Sequence, residues 1–205
     1  MSVGKFFRQN EQCSLWGVTL MNPPNTSREK IMSVSRKIVS EKGLPALNMR
    51  TLAKECGIAL GTLYNYYSDK DELVVDAIES VWQDILEKSA SDSGVSFSQY
   101  ITQTYAHIIK KLKDYPDFLV AHSISVAGSV KGKARGIMER YFGKIRSELR
   151  EVLQNDKNVD RSVFSGIFCE ENLIEYVLDN IIILIIKGKQ DCDILTEILD
   201  RLLYR

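Results

Sequence analysis

Residues 48–73 read NMRTLAKECGIALGTLYNYYSDKDEL, and the fold is decided there. Asn48 is a strong helix N-cap, Leu52, Ala53 and Cys56 recur on one helical face, and Gly57 stops the helix after about two turns. Ile58 and Ala59 lead into Leu60 to Tyr67, a second helical segment too brief to be stable alone. Ser68-Asp69-Lys70-Asp71 then opens another capped helix.

Longer helices flank this pair. Upstream, Thr26-Ser27-Arg28-Glu29 reads as a capping box for a helix over Ser27 to Lys42, with Ile31, Val34 and Ile38 on its apolar face. Downstream, Leu73, Val74, Ala77, Ile78, Val81, Trp82, Ile85 and Leu86 recur at three and four residues, predicting a long helix from Asp69 to Glu87. It ends at the Ser/Asp/Gly-rich stretch from Ser89 to Ser96, the expected domain boundary. Two short helices joined by a tight glycine-containing turn and packed on longer ones have the layout of a helix-turn-helix DNA reader. The charges agree: residues 28–54 carry seven basic side chains against two acidic, whereas residues 55–87 carry eight acidic side chains and the single base Lys70. A basic cluster at that end supplies the phosphate contacts that dominate DNA affinity.

The run from Asn48 to Leu73 resembles the DNA-binding signature of the TetR family of bacterial transcriptional regulators, above all in Gly57, Gly61-Thr62-Leu63-Tyr64, Tyr66-Tyr67, Lys70 and Leu73. The resemblance implies an all-α chain, with an N-terminal three-helix DNA-binding domain followed by a larger helical domain for a ligand and for dimerisation. It implies that Leu60, Gly61, Thr62 and Asn65 face the major groove, that Tyr64, Tyr66 and Lys70 contact phosphates, and that Arg50 touches DNA from the preceding helix. Chemistry fits these roles: Asn bonds an adenine edge, Thr offers a hydroxyl and a methyl, and Leu packs on a thymine methyl. Leu63 and Tyr67 are expected to pack inward. Ala59 stands where the family usually has a Ser or Thr cap, so the short helix lacks that hydrogen bond.

The expected organisation is a disordered extension over 1–21, a DNA-binding domain over 22–90 that includes the long linking helix, and a ligand-binding and dimerisation domain over 91–205. Further helices are expected at Phe97 to Lys113, Asp117 to Val126, Lys133 to Leu153, Glu170 to Lys187 and Asp191 to Tyr204. Tyr105, Phe118, His122, Met138, Tyr141, Phe142, Phe168 and Tyr176 are the candidates for lining a pocket for a small apolar or aromatic inducer. Val177, Ile181, Leu184, Ile185, Leu195, Ile198, Leu199 and Leu202 form two wide apolar stripes, for which the resemblance supplies a four-helix homodimer interface. The basic side chains of residues 131–150 read as a solvated helix face.

Composition narrows the remaining classes. With 27 Lys and Arg against 27 Asp and Glu among 205 residues, sequence-blind coating of nucleic acid is disfavoured and specific reading is left. Cys13, Cys56, Cys169 and Cys192 form no CxxC pair, so neither metal nor disulfide framework is expected, and a cytoplasmic location follows. The apolar run from Ile181 to Ile186 is far too short to span a membrane. Gly128 to Lys133 fails as a phosphate loop because its spacing is one residue short and Ala134 replaces the Ser or Thr. His107 and His122 have no nucleophile at a recognisable spacing, so no catalysis and no cofactor are expected. The reading is a sequence-specific regulator bound to double-stranded operator DNA, a repressor released by an inducer, with activation or action through a protein partner as the alternative.

Overall fold

The computed structural model describes residues 26–87, 94–119 and 131–204, and gives the backbone alone for residues 131–135, 137 and 138. The expected extension over 1–21, most of the expected helix 117–126, His122 and the Met138 side chain lie outside what is described. Among the described residues there are eight α-helices and no strand: α1 (Arg28–Lys42), α2 (Met49–Cys56), α3 (Leu60–Tyr64), α4 (Lys70–Leu86), α5 (Phe97–Leu112), α6 (Lys131–Asn155), α7 (Glu170–Ile186) and α8 (Asp193–Leu203).

Local chemistry sets the ends. The cap of α1 is Ser27, whose hydroxyl accepts from the Lys30 amide, rather than Thr26 of the anticipated capping box. Asn48 caps α2 by accepting from the Thr51 amide, and Asp69 caps α4 by accepting from Glu72. Gly57 closes α2 in the left-handed region at φ 67°, with open space around the position a Cβ would take, so backbone conformation and not crowding selects glycine. Helix α3 stops at Tyr64, three residues earlier than its sequence pattern suggests, and continues as a turn in which the Asn65 and Tyr66 amides donate to the carbonyls of Thr62 and Leu63. With no side-chain cap on Ala59, this one-and-a-half-turn helix depends on what it packs against.

That packing comes from a core built by α1 to α4, with Ile31, Leu47, Leu52, Leu63, Tyr67, Leu73 and Ile78 essentially inaccessible. The core is completed from outside: Ile108 of α5 and Tyr115 and Phe118 just after it are buried in the same cluster. A second core joins α5 to α8 through Phe97, Ile101, Tyr105, Leu153, Val177, Leu199 and Leu203. Val177, Ile181, Leu195 and Leu199, read from sequence as interface residues, are therefore buried within the chain itself. At the end of this core Asp156 accepts from the Phe97 amide at 2.8 Å and the Tyr204 hydroxyl at 2.6 Å, tying the start of α5 to the ends of α6 and α8. Its burial opposes the charge, but the Tyr204 hydroxyl, the Phe97 and Asn158 amides and the Arg161 charge outweigh burial and hold its carboxyl below the ordinary value.

The basic face of α6 does more than meet water. Arg140 pairs with Glu79 of α4, Arg146 with Glu175 of α7 and Arg150 with Glu171 of α7, so these charges bind α6 to its neighbours.

Candidate nucleic-acid interface

Helix α3 separates its residues cleanly by face. Leu63 is fully buried, as is Tyr67 just beyond, while Gly61, Tyr64 and Asn65, spaced at three and four residues, lie exposed on the opposite side. Thr62 is half-buried, and Leu60 packs partly against the N-terminal core, which limits how far it reaches outward. Gly61 is informative because an added Cβ would meet no atom of the chain within 4 Å and its backbone is helical. Folding does not require glycine there. A bare helix surface facing outward instead admits the close approach of another molecule's backbone.

The anticipated phosphate contacts divide. Tyr64 is 51% exposed and available. Tyr66 is half-buried against the core, and its hydroxyl donates to the Thr26 carbonyl at 2.8 Å, which fastens the end of the recognition segment to the start of α1. Lys70 is exposed at the first position of α4 and Arg50 is exposed near the start of α2, where unpaired backbone amides also favour an anion.

The ion pairs narrow the basic cluster. Arg28 is bonded to Asp76, Arg36 donates to the Ser80 hydroxyl, Lys37 pairs with Glu41 and Lys42 with Glu55. Lys30, Arg50, Lys54 and Lys70 make no ion pair among the described residues, and all four are exposed. Lys30 and Lys54 were not singled out from the sequence, because charge counting cannot tell a base committed to an internal carboxylate from one left for a partner.

A cavity of about 750 Å³ lies between α4, α5, α6 and α7. Of the aromatic residues expected around a ligand, it brings together Tyr141 and Phe142, joined by Trp82 and Tyr100. The others have different surroundings. Tyr105 sits in the second core with its hydroxyl on the Lys189 carbonyl, Phe118 packs on Trp82 and Tyr115 in the first core, Phe168 stacks on Phe164, and Tyr176 is exposed. Ile181 and Ile185, expected at a dimer interface, line this cavity. No described helix is long and apolar enough to cross a membrane.

Residues 31–77 match the family model described as bacterial regulatory proteins, tetR family. An HTH-type transcriptional regulator of Haemophilus influenzae is 34% identical over 94 residues, covering 44% of this chain and 50% of that protein. One from Staphylococcus aureus strain USA300 is 36% identical over 53 residues, 26% of this chain and 29% of its own length. The chain thus matches half or less of the length of these curated relatives. In fold, it is similar to Mycobacterium smegmatis BioQ (TM-score 0.50, 18% identity, 76% of each chain). A TetR-family protein from Vibrio parahaemolyticus gives a TM-score of 0.51 at 19% identity over 88% of this chain and 100% of that one. Residues 31–77 thus carry the N-terminal segment of the bacterial regulatory proteins of the tetR family, and the all-helical fold of the described residues is similar to that of a TetR-family protein.

Proposed function

We propose that this protein is a sequence-specific transcriptional regulator, a homodimeric repressor in the cytoplasm that a small molecule releases from a palindromic operator. In this reading residues 22–90 read DNA and residues 91–205 hold the ligand and the partner subunit. The observation that carries it is the outer face of α3, where Gly61, Tyr64 and Asn65 are exposed beside Thr62 and an uncrowded helix backbone. Arg50 and Lys70 supply phosphate contacts at helix starts, with Lys30 and Lys54 adding long-range attraction. Thr62 and Asn65 carry the hydrogen-bonding groups that distinguish base edges.

Dimerisation is favoured by what remains uncovered on the last two helices. Tyr176 and Ile183 on α7 and Ile194, Ile198 and Leu202 on α8 are all more than a third exposed, large apolar side chains that neither core of the chain covers. A two-fold interface would cover them and present two copies of α3 to successive major grooves. The 750 Å³ cavity is within the range of roughly 300–1,000 Å³ that suits a drug-sized ligand.

Selection of bound duplexes from a random DNA pool, followed by a band shift, tests the reading. An enriched inverted repeat bound by one dimer is the expected result; no enrichment over the starting pool would overturn it.

A further inference from the structure

Two consecutive tyrosines end the recognition segment, and the start of α1 touches both. Tyr66 is half-buried against the first core, and its hydroxyl donates to the Thr26 carbonyl at 2.8 Å. Tyr67 is fully buried, with the Arg28 guanidinium 5.2 Å from its ring centroid. Arg28 is in turn held by Asp76 of α4, to which its Nε donates at 3.1 Å. Thr26 precedes the cap residue Ser27, so its carbonyl lies outside the hydrogen-bonding ladder of α1, which begins where the Ser27 carbonyl accepts from the Ile31 amide. Tyr66 gives that carbonyl its donor.

A phenolic hydroxyl has one proton to donate, and a phosphate oxygen of DNA offers only lone pairs. While Tyr66 donates to Thr26, it has no proton left for a phosphate, the role that its place in the sequence pattern implies. What the bond does accomplish is local. Helix α3 has five residues and no side-chain cap, and Asn65, whose amide carries the proposed base reading, ends it one position before Tyr66. Leu63 and Tyr67 hold the inner face by burial, which is non-directional and lets the segment rock about its axis. A hydrogen bond is directional and fixes that rotation. We infer that Tyr66 is a positioning residue: through the Thr26 carbonyl it sets the angle at which Thr62 and Asn65 meet base edges, and it makes no phosphate contact. This rests on the reading of α3 as the base-reading helix, and names a further residue on which its specificity depends.

Tyr66→Phe removes the hydroxyl and keeps the ring against the core, and the loss of one hydrogen bond is too small to unfold a domain. Affinities of wild type and variant for the selected operator and for random duplex of equal length separate the two roles, because a phosphate contact is blind to sequence. The variant should lose roughly tenfold on operator and stay within about twofold on random DNA. A second arm uses the full chain without DNA. By nitrogen relaxation in NMR, the amide order parameters of Asn65 and Tyr66, which close the turn after α3, should fall by about 0.1 or more from the rigid level of roughly 0.85. Those of Ile78 and Val81, buried in α4, should not change, which a general loss of stability would equally leave unmoved at all four positions. Equal losses on operator and random DNA would assign Tyr66 to a phosphate and overturn the inference. Unchanged operator affinity, or order parameters at Asn65 and Tyr66 that do not fall, would overturn it too. If no duplex is selected at all, the regulator reading fails by itself, whereas the relaxation arm still decides whether Tyr66 holds the recognition segment.

Discussion

Gly61 is a residue whose identity the fold does not explain. Its missing side chain fills no internal need, since a Cβ would point into open space. Gly61→Ala should leave the melting temperature unchanged or raise it, as alanine favours a helix over glycine by up to about 1 kcal/mol. The same change should weaken operator binding, which a band shift alongside thermal unfolding will measure; unimpaired binding would remove Gly61 from the interface. Asp156 is the converse case, a residue placed for the fold. Its folded carboxyl is held below the ordinary 3.8, so the stability it contributes is present above that value and is lost as pH falls through the lower folded value. Asp156→Asn should destabilise the chain on the order of 1–3 kcal/mol and flatten the acid limb of its pH–stability curve. Chemical unfolding between pH 3 and 7, roughly the window either side of an ordinary carboxylate, measures both effects.

Helices α7 and α8 mark where sequence pattern stops being sufficient. Periodicity correctly finds a broad apolar stripe on each, yet it reports burial without saying against what. The inner half, including Val177 and Leu199, closes the core of the same chain, and Ile181 and Ile185 border the cavity, while the outer half is left uncovered. The two halves should respond differently. Leu199→Glu places a charge at a site with no exposure and should destabilise the monomer by more than about 4 kcal/mol. Ile198→Glu and Leu202→Glu, at positions 38% and 44% exposed, should keep a cooperative melt and convert a dimer to monomer in sedimentation at micromolar concentration. A wild type already monomeric there would refute the interface. The DNA end was far more legible because its signals are local: a cap, a left-handed glycine and alternating buried and outward residues within 26 positions. The cavity was not, because Trp82, Tyr100 and Glu148 belong to three helices brought together only by packing. The internal partner of Tyr66 was hidden for a related reason, as the Thr26 carbonyl lies 40 residues away.

Across the whole molecule, α4 is the element common to both ends. Lys70 opens it beside the helix-turn-helix pair, and Trp82 and Leu86 near its far end line the cavity. Between them, Asp84 accepts from Lys111 at 3.2 Å and from the Tyr115 hydroxyl at 3.0 Å, Ser80 accepts from Arg36, and the Ser40 hydroxyl of α1 donates to the Asp114 carbonyl. These contacts give a shift of α4 against the cavity a route to α1 and to the short helices packed on it. If cavity occupation favours a spacing of the two recognition helices away from one DNA turn, ligand and operator oppose each other reciprocally. The coupling should be about 1–3 kcal/mol, or roughly 5–150-fold in each affinity. Titrating a small aromatic molecule that the cavity is found to bind, with and without saturating operator, measures it; equal ligand affinities would exclude control through the cavity.

The central claim is that the outer face of α3 reads bases. Its most direct measurement is the affinity of wild type and Asn65→Ala for the selected operator and for the operator with single base pairs replaced. The expected result is a folded variant that loses about 1–3 kcal/mol of discrimination at one base pair and keeps it elsewhere. Discrimination unchanged at every position, or an equal loss of affinity for operator and random DNA, would contradict the claim.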